Sequence, residues 1–151
     1  MTSSAHGPVA RAGGARAVVA GHGEFAVGLI SAVEQITGRA DVFVPLSIRT
    51  LGGDEIERVL RERLIESGAL VVFTDLPAGS CTIAARRVLR DRPDVVLVTG
   101  ANLPCLLDFL FHSSEPPADA ALHATDKGRA AMITVNGAGV PGAARGTTGG
   151  R

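Results

Sequence analysis

Short β-branched apolar runs alternate with helix-period segments along this chain, and this feature most constrains its fold. Between residues 24 and 37 the apolar positions recur every three or four residues, at Phe25, Leu29, Val33 and Ile36. The pattern predicts strands at residues 17–20, 42–46, 69–74 and 95–99 and helices at 24–37, 54–67, 81–90, 104–111 and 118–131. Such alternation favours an α/β fold with a doubly wound, mostly parallel sheet in the order 2-1-3-4 and helices on both faces.

Several details of the elements follow from local signals. Asp54 is predicted to cap the second helix, which Gly68 ends. The run 69–74, ALVVFT, is the most apolar predicted strand of the chain, and its continuous pattern indicates a central strand buried on both faces. Residues 132–135 fit either a last helical turn or a short edge strand, for which an antiparallel orientation is also open.

Composition predicts one folded domain between two tails. Residues 1–15 and 136–151 are rich in Gly, Ala, Ser and Thr, so we expect flexible tails around a domain at 16–135. No apolar run approaches the roughly 18 residues of a membrane span, and the first residues lack the apolar core of a secretory signal. We therefore expect a cytoplasmic protein.

Charge and side-chain chemistry exclude several classes of function. Fifteen basic and fifteen acidic residues balance, and the aromatic residues are five Phe, so nucleic-acid binding is not expected. Cys81 and Cys105 are interpreted as reduced and structural. No His-x-x-x-His, Glu-x-x-His or paired-Cys spacing occurs, so we expect neither a metal site nor a cofactor.

The strand ends carry the candidate chemistry. In the order 2-1-3-4 the first and third strands are neighbours, and ligands bind beyond their carboxyl ends. His22 follows the first strand between two glycines, and Asp75 ends the third. A carboxylate that accepts one imidazole N–H leaves the other ring nitrogen as a nucleophile. Taken alone, Asp75 also fits an ordinary turn aspartate.

Backbone and hydroxyl groups nearby suit an anion. Gly23 lets backbone N–H groups approach closely, and Ser80 precedes the third helix, whose positive end attracts a phosphoryl group. Ser80 also fits a simple N-cap. The basic residues of the third helix are either a solvated face or a docking site for an acidic partner: Arg86, Arg87, Arg90 and Arg92.

Three segments together resemble one protein family: VVAGHGEFAVGLISAVEQITG, VVFTDLPAGS and VVLVTGANLPCLLDFL, with a Gly128-Arg129 pair further on. They resemble the EIIA proteins of the mannose/fructose/sorbose family of the bacterial sugar phosphotransferase system, particularly the amino-sugar branch. The resemblance covers residues 16–135. One loop differs, because Ala78-Gly79-Ser80-Cys81 stands where the family usually has Gly-Gly-Ser/Thr-Pro.

The resemblance implies a doubly wound, commonly dimeric phosphocarrier. It makes His22 the phosphorylated histidine and Asp75 its orienting carboxylate, and it places Ser80 near the phosphoryl group. The implied partners are HPr, an EIIB subunit and, indirectly, membrane permease subunits, with a homodimer as the expected assembly.

Three other functions are also compatible with parts of this sequence. A regulatory module whose His22 phosphorylation state is read by a partner protein would have nearly the same sequence. The phosphocarrier subunit of a dihydroxyacetone kinase is similar in fold, but the segment Asn102-Leu103-Pro104 favours the sugar family. A response receiver needs an acidic cluster after the first strand, where this chain has Gly-His-Gly.

Overall fold

A four-stranded sheet covered by five helices forms the part of the chain that the structure, a computed structural model, describes: residues 14–49 and 52–136. The strands are β1 (Ala17–His22), β2 (Phe43–Ile48), β3 (Val71–Thr74) and β4 (Val96–Val98). The helices are α1 (Phe25–Thr37), α2 (Gly53–Ser67), α3 (Ser80–Leu89), α4 (Leu103–Phe111) and α5 (Pro117–Ala130).

The sheet order is β2-β1-β3-β4, and each pair of neighbouring strands is parallel. This confirms the predicted fold class and order. The β1–β2 register runs from Ala17 opposite Phe43 to His22 opposite Ile48. All four residues of β3 are buried, as expected for a strand between two others. Each crossover contains a helix, so the carboxyl ends of β1 and β3 lie side by side at the point where the strand order reverses.

The alternation of side chains along β1 divides the core into two layers. Ala17 and Val19 face α1, α4 and α5, where three phenylalanine rings pack edge to face or tilted against one another: Phe43, Phe73 and Phe109. Val18 and Ala20 face α2 and α3. Gly21 is the next residue of β1 on the same face as Ala17 and Val19. A Cβ there would lie 2.4 Å from the Phe25 ring, so this position has no room for a side chain.

Two predictions about helix details are wrong. Asp54 does not cap α2: Gly52, in extended conformation, is the N-cap residue, and the Asp54 side chain lies in the first turn beside Arg87, at 3.6 Å. Its charge still suits the positive end of the helix. Ile36 does not belong to the inner face of α1, because 59% of it is exposed in the last turn.

The segment at the C-terminal end of the predicted domain is irregular and exposed. Residues 132–135 form neither a helical turn nor a strand, and Met132, Ile133 and Val135 are exposed. The expected tails lie almost wholly outside the described residues. No helix within residues 14–49 and 52–136 is long and apolar enough to cross a membrane.

The Asn102 and Gly128 segments meet between α4 and α5. The Asn102 side chain accepts a hydrogen bond from Cys105 N at 3.1 Å, which caps α4, and its Nδ2 donates to Gly128 O at 2.9 Å. A Cβ on Gly128 would lie 2.9 Å from both Asn102 Oδ1 and Cys105 Cβ. Gly128 is therefore required for the close approach of the two helices.

We expect Gly128→Ala to destabilise the protein, because the added methyl forces α4 and α5 apart. Overpacking of this kind costs about 1–3 kcal/mol, against up to about 1 kcal/mol that Ala contributes in a helix interior. Gly28→Ala is the matched control, since no heavy atom lies within 4 Å of its Cβ position in α1. Denaturant unfolding should show lower stability for Gly128→Ala only; equal or higher stability in both variants would contradict the packing argument.

Candidate functional site

His22 and Asp75 lie together at the carboxyl edge of the sheet. His22 is the last residue of β1 rather than the start of the following loop, and Asp75 comes directly after β3. Because β1 and β3 are paired neighbours, their ends bring the two side chains into contact. The predicted pair is thus brought together by the strand order.

One carboxylate oxygen holds the histidine in two ways. Asp75 Oδ2 accepts the backbone N–H of His22 at 2.9 Å and lies 2.8 Å from its ring Nδ1. An ionised carboxylate only accepts hydrogen bonds, so Nδ1 carries the proton in the neutral ring. The lone pair is then on Nε2, and the ring orientation is fixed by two contacts to a single oxygen atom.

Electrostatics keeps Asp75 ionised. Burial of its side chain, which is 10% exposed, opposes the charge, but hydrogen bonds from the His22 ring and backbone and the attraction of His22 outweigh it and lower the pKa of Asp75. Its second oxygen, Oδ1, is buried and accepts no hydrogen bond from the described residues. The negative charge is therefore directed at the imidazole.

The Nε2 side of the ring is open and faces the start of α3. The His22 side chain is 53% exposed, and Nε2 lies 3.5 Å from Ser80 Oγ. Ser80 is the first residue of α3, and no side chain in the described part of the chain caps this helix. Backbone N–H groups and the helix dipole at such an end attract an anion.

Two glycines leave space around the ring. Gly79, the N-cap residue of α3, lies so close that a Cβ there would be 3.5 Å from His22 Cε1. Gly23 has φ +53° and nothing within 4 Å of its Cβ position. Its N–H donates to Ile48 O at 3.2 Å, so this group extends the β1–β2 ladder.

A buried hydroxyl pair that sequence reasoning missed supports the Asp75 loop. Thr74 Oγ1 and Thr82 Oγ1 are 2.6 Å apart, and Thr82 Oγ1 also donates to Leu76 O. These bonds tie the end of β3 to the first turn of α3, with Asp75 between them. The spacing of Thr74 and Thr82 around Asp75 is visible in the sequence, but neither residue suggests chemistry by itself.

An ion pair at the rim of the site was also missed. Arg49, at the end of β2, hydrogen-bonds the carboxylate of Glu24, which precedes α1. Both side chains are largely exposed, so the ion pair contributes little to the stability of the fold. Its members come from distant parts of the chain, and only the strand order brings them to the same edge.

The other candidate groups lie apart from the pair or are unreactive. Burial and the Asp75 charge raise the pKa of Cys81 to about 12, so its thiol stays protonated. His112 follows α4 and His123 lies in α5, as predicted, while His6 is outside the described residues. Of the four arginines predicted to cluster, Arg87 pairs with Asp54 and Arg92 with Asp94.

Comparisons with solved structures find the same fold in phosphotransferase proteins. The mannose/sorbose-specific IIA subunit from Enterococcus faecalis is 20% identical with a TM-score of 0.74, and the match covers 82% of this chain and 96% of that one. A phosphotransferase component EIIA from Streptococcus agalactiae is 18% identical with a TM-score of 0.72, covering 79% and 95%.

A solved structure with a different description shares the fold. A sigma-54 interaction domain protein from Enterococcus faecalis is 13% identical with a TM-score of 0.65, and the match covers 78% of this chain and 92% of that one. These likenesses show the fold alone. Comparison with curated proteins gives no significant match.

A family model identifies the chain more specifically. The model for the fructose IIA component of the phosphotransferase system, EIIA-man, matches residues 16–126, which is more than half of the chain and includes both His22 and Asp75. This confirms the predicted resemblance. The chain belongs to the mannose/fructose family of EIIA proteins of the bacterial sugar phosphotransferase system.

Proposed function

We propose that this protein is a phosphocarrier that accepts a phosphoryl group from phospho-HPr on His22 and passes it to an EIIB subunit for sugar uptake. The observation that carries the proposal is the ring of His22, which is held through Nδ1 by Asp75 and exposes Nε2 beside the start of α3. Family membership supplies the class of reaction. The proposed step takes place in the cytoplasm.

The proposed step is an in-line displacement at phosphorus. The Nε2 lone pair forms a bond to phosphorus as the bond between phosphorus and the donor breaks, and the electron pair of that bond leaves with the donor. The ring becomes positively charged, and the Asp75 carboxylate stabilises this charge while keeping Nδ1 protonated. Transfer to EIIB is a second in-line displacement, in which a nucleophile of EIIB forms a bond to phosphorus while the P–Nε2 bond breaks and its electron pair returns to the imidazole.

The transferred group would be held by the start of α3. Ser80 Oγ and the uncapped N–H groups of that helix are placed to contact the phosphoryl oxygens. Gly23 contributes by leaving open space where a side chain would stand. We assign binding of the phosphoryl group to Ser80 and Gly23 on these grounds.

Exposed apolar side chains around the site fit a protein partner. Val27 in α1, Leu76 after Asp75 and Ile83 in α3 are each close to half exposed and lie on elements that begin at the His22 edge. Arg86, on the exposed side of α3, adds positive charge nearby. Such a surface suits successive, short-lived docking of HPr and EIIB, with the membrane permease subunits reached only through EIIB.

A transfer assay separates the proposal from its alternatives. Phosphorylated protein, freed of HPr, should lose its phosphoryl group when the EIIB subunit encoded beside a sugar permease is added, and EIIB should gain it. A regulatory module would keep the group, and a dihydroxyacetone kinase subunit would pass it to that kinase instead. The regulatory role stays the second candidate, because its sequence would be nearly the same.

The open edge of the sheet supports a homodimer. β4 pairs with β3 on one side, while its other side is an edge within the described residues. A cleft of about 480 Å³ lies along it, lined by residues that include Leu97, Arg129 and Met132. The exposed segment 132–135 lies near this edge along the chain. An unpaired strand edge is a template for pairing with another chain, and exposed apolar side chains mark interaction sites.

We expect light scattering to give about twice the chain mass of 15.4 kDa. Ile133→Asp should give a monomer, because it places a charge in the segment proposed to be covered. Ile65→Asp is the matched control, since Ile65 is equally exposed, 73% against 75%, but lies on α2 on the opposite face of the sheet. A wild-type monomer at tens of micromolar, or a dimer unaffected by Ile133→Asp, would contradict this interface.

A further inference from the structure

Two histidines and a glutamate form a cluster at the amino edge of the sheet, opposite the His22 site. His112 is the C-cap residue directly after α4, Glu115 lies in the turn that follows, and His123 is in α5. Glu115 Oε2 is 3.8 Å from His112 Nε2, and Glu115 Oε1 is 3.4 Å from His123 Nε2. One ligand atom from each side chain lies within 4.8 Å of the others.

The turn that presents these groups is firmly held. Arg16, just before β1, donates hydrogen bonds to His112 O at 3.4 Å and to Glu115 O at 2.5 Å. Glu115 N donates to His112 O at 3.1 Å. Pro116 and Pro117 follow at once and restrict the backbone that leads into α5. The cluster therefore stands on rigid backbone even though its side chains reach the surface.

The inner nitrogen of His112 is already engaged. Its Nδ1 lies 2.8 Å from Asp108 O and 3.3 Å from the carboxylate oxygen Asp108 Oδ2. Asp108 is 91% buried, and its Oδ2 has no hydrogen-bond partner among the described residues. The backbone carbonyl of Asp108 holds the proton on Nδ1, with the buried carboxylate 3.3 Å away as a nearby negative charge, and the Nε2 lone pair is left facing Glu115 and His123. A carbonyl behind the ring is the arrangement found behind metal-ligating histidines.

The spacing of the ligand atoms suits a small tetrahedral ion. Zinc bonds to nitrogen and oxygen of about 2.0–2.2 Å place neighbouring ligand atoms about 3.3–3.5 Å apart. Glu115 approaches this spacing through its two different oxygens, 3.4 Å from Oε1 to His123 Nε2 and 3.8 Å from Oε2 to His112 Nε2, so its carboxylate spans the two imidazoles. The imidazole rings now stack in parallel, 8° apart with centroids at 4.6 Å, so His123, the more exposed ring, must turn about its Cβ–Cγ bond for its lone pair to converge.

We propose that His112, Glu115 and His123 bind one Zn²⁺ ion, with a water molecule in the fourth position, at a site that is separate from the phosphoryl site. Two imidazoles and one carboxylate are a donor set that zinc prefers, and Asp108 is the positioning residue for His112. The ion joins α4, the turn and α5. Because it binds the folded chain, it stabilises the packing of these helices on the sheet.

Sequence reasoning expected no metal site because it searched for ligand pairs at close helical spacing. Here the ligands come from the end of one helix, a turn and the next helix. The pair His112 and Glu115 is separated by only two residues, but the third ligand comes near only when α4 and α5 pack together.

The test is a titration of the full chain with ZnCl₂ in a non-chelating buffer, followed by calorimetry and thermal unfolding. We expect one ion per chain, bound at micromolar concentration or tighter, and a higher unfolding midpoint. Glu115→Gln and His123→Gln should each weaken binding at least about tenfold. Asp108→Asn keeps the backbone carbonyl that holds His112 Nδ1 and removes only the buried charge, so it should weaken binding less than the loss of a ligand does. Circular dichroism of the metal-free variants checks that they are folded.

Two controls distinguish this cluster from the other histidines. His22→Gln removes the other paired histidine of the described residues, and His6→Gln removes the histidine near the N-terminus; both should bind zinc like the wild type. With Co²⁺ as the probe, the visible absorption typical of four-coordinate cobalt should appear in the wild type and be absent from His123→Gln. The proposal is overturned if no stoichiometric binding occurs, or if binding survives in Glu115→Gln and His123→Gln or is lost in His6→Gln or His22→Gln.

Discussion

Replacing Asp75 with Asn should slow phosphoryl transfer to this protein by about two to four orders of magnitude while leaving the fold intact. Asn keeps the size of the side chain, but it removes the negative charge that holds the Nδ1 proton and stabilises the charged ring. The neutral amide also permits the opposite tautomer, in which Nε2 carries the proton and has no lone pair. Rapid-quench measurement of transfer from phospho-HPr gives the rate.

Asp94→Asn is the matched control for this variant. Asp94 also accepts hydrogen bonds from a basic side chain, Arg92, but it precedes β4 and is far from His22. Its replacement should leave the transfer rate unchanged. Nitrogen NMR of the His22 ring adds a readout that a purely structural role would not affect, because Asp75→Asn should shift the tautomer population. Wild-type transfer kinetics in Asp75→Asn would show that Asp75 is only a turn residue.

Replacing His22 with Ala should abolish phosphorylation altogether, since within residues 14–49 and 52–136 no other side chain at the carboxyl edge offers an exposed nucleophile with a carboxylate behind it. His112→Ala and His123→Ala remove the other described histidines and should accept phosphate at the wild-type rate, as should His6→Ala. Intact-protein mass spectrometry after incubation with phospho-HPr counts the groups gained. Labelling that persists in His22→Ala would place the acceptor elsewhere.

The fold could be predicted from periodicity because apolar spacing decides which side chains can be buried. Strand β3 lies in a continuous apolar run, and such a run can be buried on both faces only in an inner strand of the sheet. All four residues of β3 are buried. The same logic failed at Ile36, which continues the helical spacing of α1 but lies in the last turn, beyond the cover of the sheet. Apolar periodicity predicts which face of a helix is buried, but it does not show how far the neighbouring sheet extends along that helix.

The site could be predicted in outline because strand order follows from the crossovers. That order alone placed His22 beside Asp75. Finer details of the site depend on the register of the strands, which the sequence does not show. These details are the two hydrogen bonds to a single oxygen of Asp75 and the hydrogen bond from Gly23 N–H to Ile48 O. Asp54 shows the same limit, because a glycine in extended conformation took the N-cap position that residue type alone assigned to the aspartate.

The segment 132–135 and the cluster around Glu115 were beyond sequence reasoning for a different reason. The four residues of the segment are mostly apolar, a composition that fits either a helical turn or a strand, and in the single chain they form neither. The cluster depends on the packing of α4 against α5, a contact between helices that no local pattern encodes. Both features therefore became visible only in three dimensions.

The position of the phosphoryl group on the imidazole tests the central claim most directly. After incubation with phosphoenolpyruvate, enzyme I and HPr, phosphorus and nitrogen NMR distinguish the two phosphohistidine isomers, and the adduct should be labile in acid and stable in alkali. The hydrogen bond between Nδ1 and Asp75 Oδ2 predicts a single group on Nε2 of His22. A group on Nδ1, a group on Ser80, or no group at all would contradict the account of His22 as a phosphocarrier oriented by Asp75.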